Sequence, residues 1–317
     1  MSQLNGAVAN SIGKATPILK DQHVAVSSGC RSQKETNMKI TWASDLHLNF
    51  VPLLNQTLNN LASEVRAADA EMLVLCGDIS GGGVGLRLRD ALSALELSFG
   101  LPIRFCLGNH DYYRLTFAKA HSIVKDAVAE SVVLYNDVRI LSWLSDGVIE
   151  ALSDEAVLIG HDGWYDARAG LLRNMVILND FYEIGDMSPL SVRSRVPEPL
   201  VLKMREIADE AAAYFDKMLP LALNQARKVV LATHVPPFPQ AAWHEGHQCE
   251  PDYLPFFCSV CAGNVLLKHM EANSDKELLV LCGHTHSEGE VEILPNLKVL
   301  TARARYGSPR LQGVIDV

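Results

Sequence analysis

No stretch of the 317-residue chain is long and apolar enough to span a membrane. The opening residues, MSQLNGAVANSIGKATPILK, lack the continuous apolar segment of a secretory signal. Cysteine is sparse and odd in number, seven in all, with Cys76, Cys106 and Cys282 each closing a short apolar run (MLVLC, RFC, LLVLC). That pattern suits small buried hydrophobes, excludes a disulfide framework and fits a reducing compartment, so a cytoplasmic protein is expected. Positive charge is also short: Lys plus Arg is 28 against 37 for Asp plus Glu, a net charge of -9. An acidic balance with no basic, aromatic-interleaved stretch works against nucleic acid and anionic membranes as partners.

With 48% hydrophobic residues, the chain can bury a sizeable core. Residues 1–37 are polar and aperiodic, as expected of a disordered tail or an extended start ahead of Met38. From 38 to 317 neither a repeat nor a linker interrupts the pattern, which predicts one domain. Strands are expected at 39–44, 72–76, 103–107, 138–144, 156–159, 228–232 and 278–282. A final pair, 291–294 and 298–302, would turn at Pro295-Asn296. Helices are expected at 54–68, 91–97, 117–129 and 200–226, the last kinked or divided by Pro220. A polar stretch from about 163 to 199 breaks the rhythm. The strands are continuously apolar rather than alternating, so both faces are buried, and the simplest α/β reading puts helices on both sides of a sheet.

The residues just past the strands carry the chemistry. KITWAS runs into Asp45-Leu46-His47, MLVLC into Gly77-Asp78, and RFCL into Gly108-Asn109-His110-Asp111. KVVLAT runs into His234, and LLVLC into Gly283-His284-Thr285-His286. Ligand sites in α/β sheets lie at these carboxyl ends. If the chain stays extended there, residues i and i+2 point the same way, so Asp45 with His47, and His284 with His286, would each aim two side chains at one place. The glycines suit sharp turns where a side chain would crowd the site. Carboxylate, imidazole and amide without obligatory thiolate suit Mn, Fe or Zn. Seven such groups exceed the needs of one four-coordinate ion and suffice for two ions sharing a carboxylate, about 3.5–4 Å apart.

The ordered blocks DLH, GD, GNHD, the His of THVPP, and GHTH resemble the calcineurin-like metallophosphoesterases. The resemblance runs from about Lys39 to Gly307. It implies a β-sandwich of two mixed sheets flanked by helices, in place of a single sheet. It also implies that Asp45, His47 and His286 hold one metal, that Asn109, His234 and His284 hold the other, and that Asp78 bridges them. His110 would serve as general acid or phosphate binder, with Asp111 orienting it. Two cations lower the pKa of a bridging water and screen the phosphate, so hydroxide attacks in line and the leaving alkoxide needs a proton or a metal.

Outside these blocks, Arg168 and Arg173 in HDGWYDARAGLLR are candidates to grip phosphate. His244, His247, Cys249, Cys258 and Cys261 invite comparison with a structural zinc site. One C-x-x-C without its partner pair favours loop residues at the mouth of the site instead. The expected function is hydrolysis of small or nucleotide-type phosphoesters, mono- or diester. A nuclease, a protein phosphatase or an inactive binding scaffold of the same fold are the alternatives.

Overall fold

The computed structural model describes residues 38–81, 86–134, 138–173 and 176–317. The expected tail at 1–37 lies outside them. The strands are β1 (Lys39–Ala43), β2 (Met72–Cys76), β3 (Ile103–Cys106), β4 (Leu141–Trp143), β5 (Glu150–Ala151), β6 (Ala156–His161), β7 (Lys228–Thr233), β8 (Trp243–His244), β9 (His247–Gln248), β10 (Glu277–Cys282), β11 (Gly289–Leu294), β12 (Leu297–Thr301) and β13 (Gly313–Asp316). The α-helices are α1 (Leu54–Ala67), α2 (Leu88–Phe99), α3 (Phe117–Glu130), α4 (Asp180–Glu183), α5 (Glu198–Gln225), α6 (Leu254–Phe257) and α7 (Val260–Glu271).

Two mixed sheets result. One has the order β13-β1-β2-β3-β4, parallel except for β13. The other has the order β11-β12-β10-β7-β6-β5, with antiparallel edges at β11 and β5. The strand period of two divides their side chains. Met72, Val74 and Cys76 of β2 meet Val230 and Ala232 of β7 in a core between the sheets. Leu73 and Leu75 face outward beneath the helices, as do Val229 and Leu231 on the other sheet. Continuous apolar strands therefore do mean two buried faces, but one of those faces is a second sheet.

Helix α1 buries Leu58, Leu61, Ala62 and Val65, the i, i+3, i+4, i+7 stripe of an amphipathic helix. Helix α2 is longer than 91–97 and ends on Gly100 in the left-handed region. Helix α5 runs unbroken through Pro220, because burial of Phe215, Met218, Leu219, Ala222 and Leu223 holds both sides of the lost hydrogen bond together. Helix α7 was not expected; it packs Ala262, Leu266 and Met270 into the same core. Among the described residues no helix is long and apolar enough to cross a membrane.

Arg104 on β3 is a buried cation within an apolar strand. Its guanidinium donates to the carbonyls of Arg139 and Ile140 and, at 2.8 Å, to Glu150 on β5, tying one sheet to the edge of the other. Removing one partner of such a pair strands the other charge, whereas replacing the buried cation by an apolar chain removes the need for a partner. Glu150→Ala is expected to lower unfolding free energy by about 1.5–3 kcal/mol, read from a urea midpoint. Arg104→Met should cost less. Unchanged midpoints for Glu150→Ala would show that the pair contributes nothing.

Candidate active site

The carboxyl ends of β1, β2, β3, β7 and β10 meet at one rim of the sandwich, and the segments past the strand ends are stitched together. Asp45 N–H donates to Gly77 O (3.0 Å), His47 N–H to Asp78 O (2.9 Å) and Gly283 N–H to His234 O (2.9 Å). The chain here is not extended. Asp45, His47, Asp78, His284 and His286 all sit at positive φ, between 43° and 70°. The i, i+2 pairs thus converge by left-handed kinks rather than by strand alternation, because each kink turns its side chain inward while the backbone still finds partners across the rim. Two glycines permit the approach: a methyl on Gly108 would overlap the Asp78 carboxylate, and one on Gly283 would overlap Asp45 and Ser44.

One group of side chains gathers Asp45, His47, Asp78 and His286, whose ligand-type atoms all lie within 4.8 Å of one another. His47 Nε2 and His286 Nε2 are 3.1 Å apart, His286 Nε2 is 3.3 Å from Asp45 Oδ1, and His47 Nε2 is 3.7 Å from Asp78 Oδ2. Beside it, Asn109 Oδ1 lies 2.9 Å from both His234 Nε2 and His284 Nδ1. The outer ring nitrogens explain this second group. His234 Nδ1 donates to Cys76 O and His284 Nε2 to Phe256 O, each at 2.8 Å, which leaves bare lone pairs on the inner nitrogens. Asn109 Nδ2 donates to Asp180 (2.9 Å), so its oxygen is the end that faces the rings. Three acceptors crowded together repel one another unless a cation lies among them, so the donor set fits a metal ion.

The electrostatics agree. Burial raises the Asp78 carboxyl well above its usual range, helped by the negative charges of Asp45 and Asp111. Burial opposes ionisation of Asp45 too, but the bond and charge of His286, with the charges of His234 and His47, hold it below the usual range. Burial pushes His234 down to about 4 and also lowers His47 and His284. Against burial, the bond to Asp45 raises His286. Neutral His47, His234 and His284 are in the state that binds cations, and cations would in turn displace the proton favoured on His286 and keep Asp78 ionised.

His110 stands over this rim. Its ring stacks on Tyr113 (centroids 4.4 Å apart, 24°), and its Nε2 is 3.4 Å from the Tyr113 hydroxyl and 3.9 Å from Asp78 Oδ2. Burial pushes it down to about 4. Asp111 does not touch the His110 ring. Its carboxylate accepts the backbone N–H groups of Ile79, Ser80 and Gly108 at 2.8–3.2 Å, and burial outweighs these bonds to raise it to about 7. Asp111 therefore braces the two turns after β2 and β3 and does not orient the imidazole. The sequence reading missed Asp180, buried on α4, which accepts the hydroxyls of Tyr113 (2.6 Å) and Tyr165 (2.8 Å) besides the Asn109 amide. Nothing in the sequence set it apart from Asp166, Glu183, Asp186 and Glu198, the other acids of the polar stretch that broke the strand–helix rhythm.

Comparison with known proteins decides the family. The description "Calcineurin-like phosphoesterase" matches residues 38–288. The chain belongs to the calcineurin-like phosphoesterase family. A dimetal phosphatase from Danio rerio is similar in fold, with 14% identity over 84% of this chain and 87% of that one and a TM-score of 0.52. A 5'-nucleotidase from Candida albicans is similar at 13% identity over 86% of this chain and 46% of that one, with a TM-score of 0.44. No curated protein matches the chain. The two mixed sheets flanked by helices are the fold of this family, and membership makes the chain a metal-dependent phosphoester hydrolase.

Within this phosphoesterase, a cavity of about 290 Å³ opens over Asp78, Asn109, His110, His284 and His286, walled by Tyr113, Phe257 and Tyr306. Arg168 and Arg173 line neither it nor the neighbouring cavity. Arg168 is held by Asp209 (2.8 Å) and Asp166 (3.4 Å), and Arg173 lies exposed near Asp252. Among the described residues His244, His247, Cys249, Cys258 and Cys261 form no metal-holding group. His244 packs on Tyr253 and Phe257 at the cavity wall, and the Cys261 thiol donates to Ala208 O. Burial raises Cys249 to about 12, Cys261 to about 11 and Cys258 well above its usual range. A thiol stays protonated below its pKa, and only the thiolate attacks alkylating agents. Peptide mapping after iodoacetamide at pH 8 is expected to find these three cysteines essentially unlabelled in the folded protein. Rapid labelling would show that burial does not protect these thiols, and zinc released on labelling would restore the structural zinc site.

Proposed function

We propose that residues 38–317 form a dinuclear phosphoesterase acting on small or nucleotide-type phosphoesters. Asp45, His47 and His286 hold one ion, Asn109, His234 and His284 the other, and Asp78 is shared. The observation that carries this reading is the posture of Asp78. Its Oδ2 faces His47 Nε2 at 3.7 Å while its Oδ1 faces His234 Nε2 at 3.5 Å, one oxygen toward each group. Such sites accept Mn, Fe or Zn. Two bound cations supply a water acidic enough to attack near neutral pH and neutralise the phosphate.

The chain's own residues then do the rest. Among the described residues lining the cavity there is neither Lys nor Arg, so phosphate affinity depends on the ions and on imidazole N–H groups. His110 lines the cavity beside the metal groups, and the charge of an arriving phosphate would favour its protonated form against the burial that keeps it neutral. The small aromatic-walled cavity and the net charge of -9 favour a small ester over nucleic acid. The described cysteines are free, which supports a cytoplasmic location; fractionation with a membrane-enclosed marker would overturn it.

Asp78→Asn is expected to abolish turnover and reduce bound metal from two ions to one or none by elemental analysis. Two tightly held ions with normal turnover would remove the assignment. Chelation should inactivate the wild type, and Mn should restore it; a panel of monoesters, diesters, oligonucleotides and phosphopeptides on Mn-loaded protein then separates small-ester hydrolase, nuclease, protein phosphatase and inactive scaffold.

His110→Ala tests proton transfer. A general acid contributes about 10²–10⁴-fold, and that help is needed by a basic alkoxide and hardly by a nitrophenolate. The variant is expected to lose alkyl ester hydrolysis severely and nitrophenyl ester hydrolysis much less, with normal metal content. Equal losses would mean that His110 binds phosphate, and a lost ion would mean that it is a ligand.

A further inference from the structure

Beyond the metal groups lies a second cavity of about 480 Å³, which shares His110, Tyr113, Asn179 and Tyr306 with the first. Its own lining is Asn49 and Phe50, just past the DLH turn, with Gly81. The Phe50 and Tyr306 rings meet edge to face at 5.1 Å, and Tyr306 reaches back to within 4.4 Å of the His47 ring. These two aromatics are 51% and 48% exposed, in a molecule that buries most of its large rings. Among the described residues lining this cavity, none but His110 is a titratable base and none is an acid, while Tyr113 and Tyr306 present phenols. Tyr306 lies past residue 288, where the match to the family ends, whereas Phe50 lies within it.

We infer that the second cavity receives the leaving group of the substrate, and that this group is an uncharged flat aromatic ring, stacked against Phe50 and Tyr306. The inference rests on the phosphoesterase reading above. His110 lines the cavity over the metal groups and is a wall of the second cavity as well. An ester therefore threads past His110 with its phosphorus in one compartment and its alcohol part in the other. A wall of aromatic faces without formal charge stabilises a planar ring by stacking, gives a flexible alkyl chain less, and offers a second phosphate or a carboxylate no cationic side chain. A nucleobase and a simple aryl alcohol share this chemistry.

The test compares ester pairs that differ in the ring but little in leaving-group basicity. Benzyl and butyl phosphates, as monoesters and as methyl diesters, probe an aryl alcohol; adenosine 5'-monophosphate and ribose 5-phosphate probe a nucleobase. The wild type should favour the ring-bearing member in kcat/KM, by about 5- to 150-fold for one stacked ring. Phe50→Ala, at an exposed position that should fold, is expected to collapse that ratio toward one, mostly through KM, while Phe50→Trp keeps it. The pair that shows the larger ratio identifies the source of the ring. Benzylphosphonate against butylphosphonate, with affinities measured by calorimetry on the metal-loaded protein, gives the same comparison without turnover. No aromatic preference in the wild type, or a ratio that survives Phe50→Ala, would overturn the inference while leaving the phosphoesterase intact. Absence of turnover on every ester, with no phosphonate bound, would instead overturn the reading on which it rests.

Discussion

Five carboxylates, Asp45, Asp78, Asp111, Asp162 and Asp180, are buried near one rim of the sandwich, and the rim is organised around keeping them there. A carboxylate out of water needs hydrogen-bond donors or cations. Asp111 takes three backbone N–H groups. Asp162 takes Leu107 N–H, the Trp143 indole and the hydroxyls of Ser145 and Tyr112. Asp180 takes two phenols and an amide. Asp45 and Asp78 instead face imidazoles whose outer nitrogens are in part already committed to carbonyls. Neutral donors satisfy the outer three, whereas the inner two take one backbone N–H each, from His284 and His110, and keep the rest of their capacity for cations.

That arrangement has a cost in the backbone. Non-glycine residues at positive φ lose about 1–2 kcal/mol each relative to right-handed conformations, and five of the residues at this rim adopt it. Cross-rim hydrogen bonds fix the kinks, and His284 N–H donates to the Asp45 carboxylate itself. The strain is thus coupled to the charge. The geometry that brings carboxylates and imidazoles together is held partly by the carboxylates.

The strand-end residues were legible in the sequence because a buried strand is marked by its own apolar run, and a polar side chain straight after it has nowhere to go but the rim. The structure brings these residues together, but not in the assumed extended conformation: DLH and GHTH converge through left-handed kinks, which no apolar pattern reports. The second sheet was legible only through family resemblance, since an apolar strand face reads alike under a helix or under another sheet. Asp180, Tyr306 and the buried Arg104 were not legible, because each depends on a partner far away in sequence: Asn109, His47 and Glu150. Arg168 erred in the opposite sense. An arginine among aromatics suggested phosphate, but Asp209 on α5, brought near only by the fold, takes the guanidinium.

The same division of labour bears on selectivity. Whatever ions occupy the rim would see the same phosphoryl group on every ester of one class, monoester or diester, so the metal groups would not by themselves discriminate between its alcohols. The cavity over them adds neither Lys nor Arg among its described lining, so it cannot favour esters carrying extra negative charge. Discrimination is left to the far side of His110, where the walls are aromatic and polar but almost free of charge. Stacking of one ring contributes about 1–3 kcal/mol, which is a factor of roughly 5 to 150 in rate or affinity. A site built this way prefers one class of leaving group without excluding others. It would do so through binding of the alcohol part rather than through the chemistry at phosphorus.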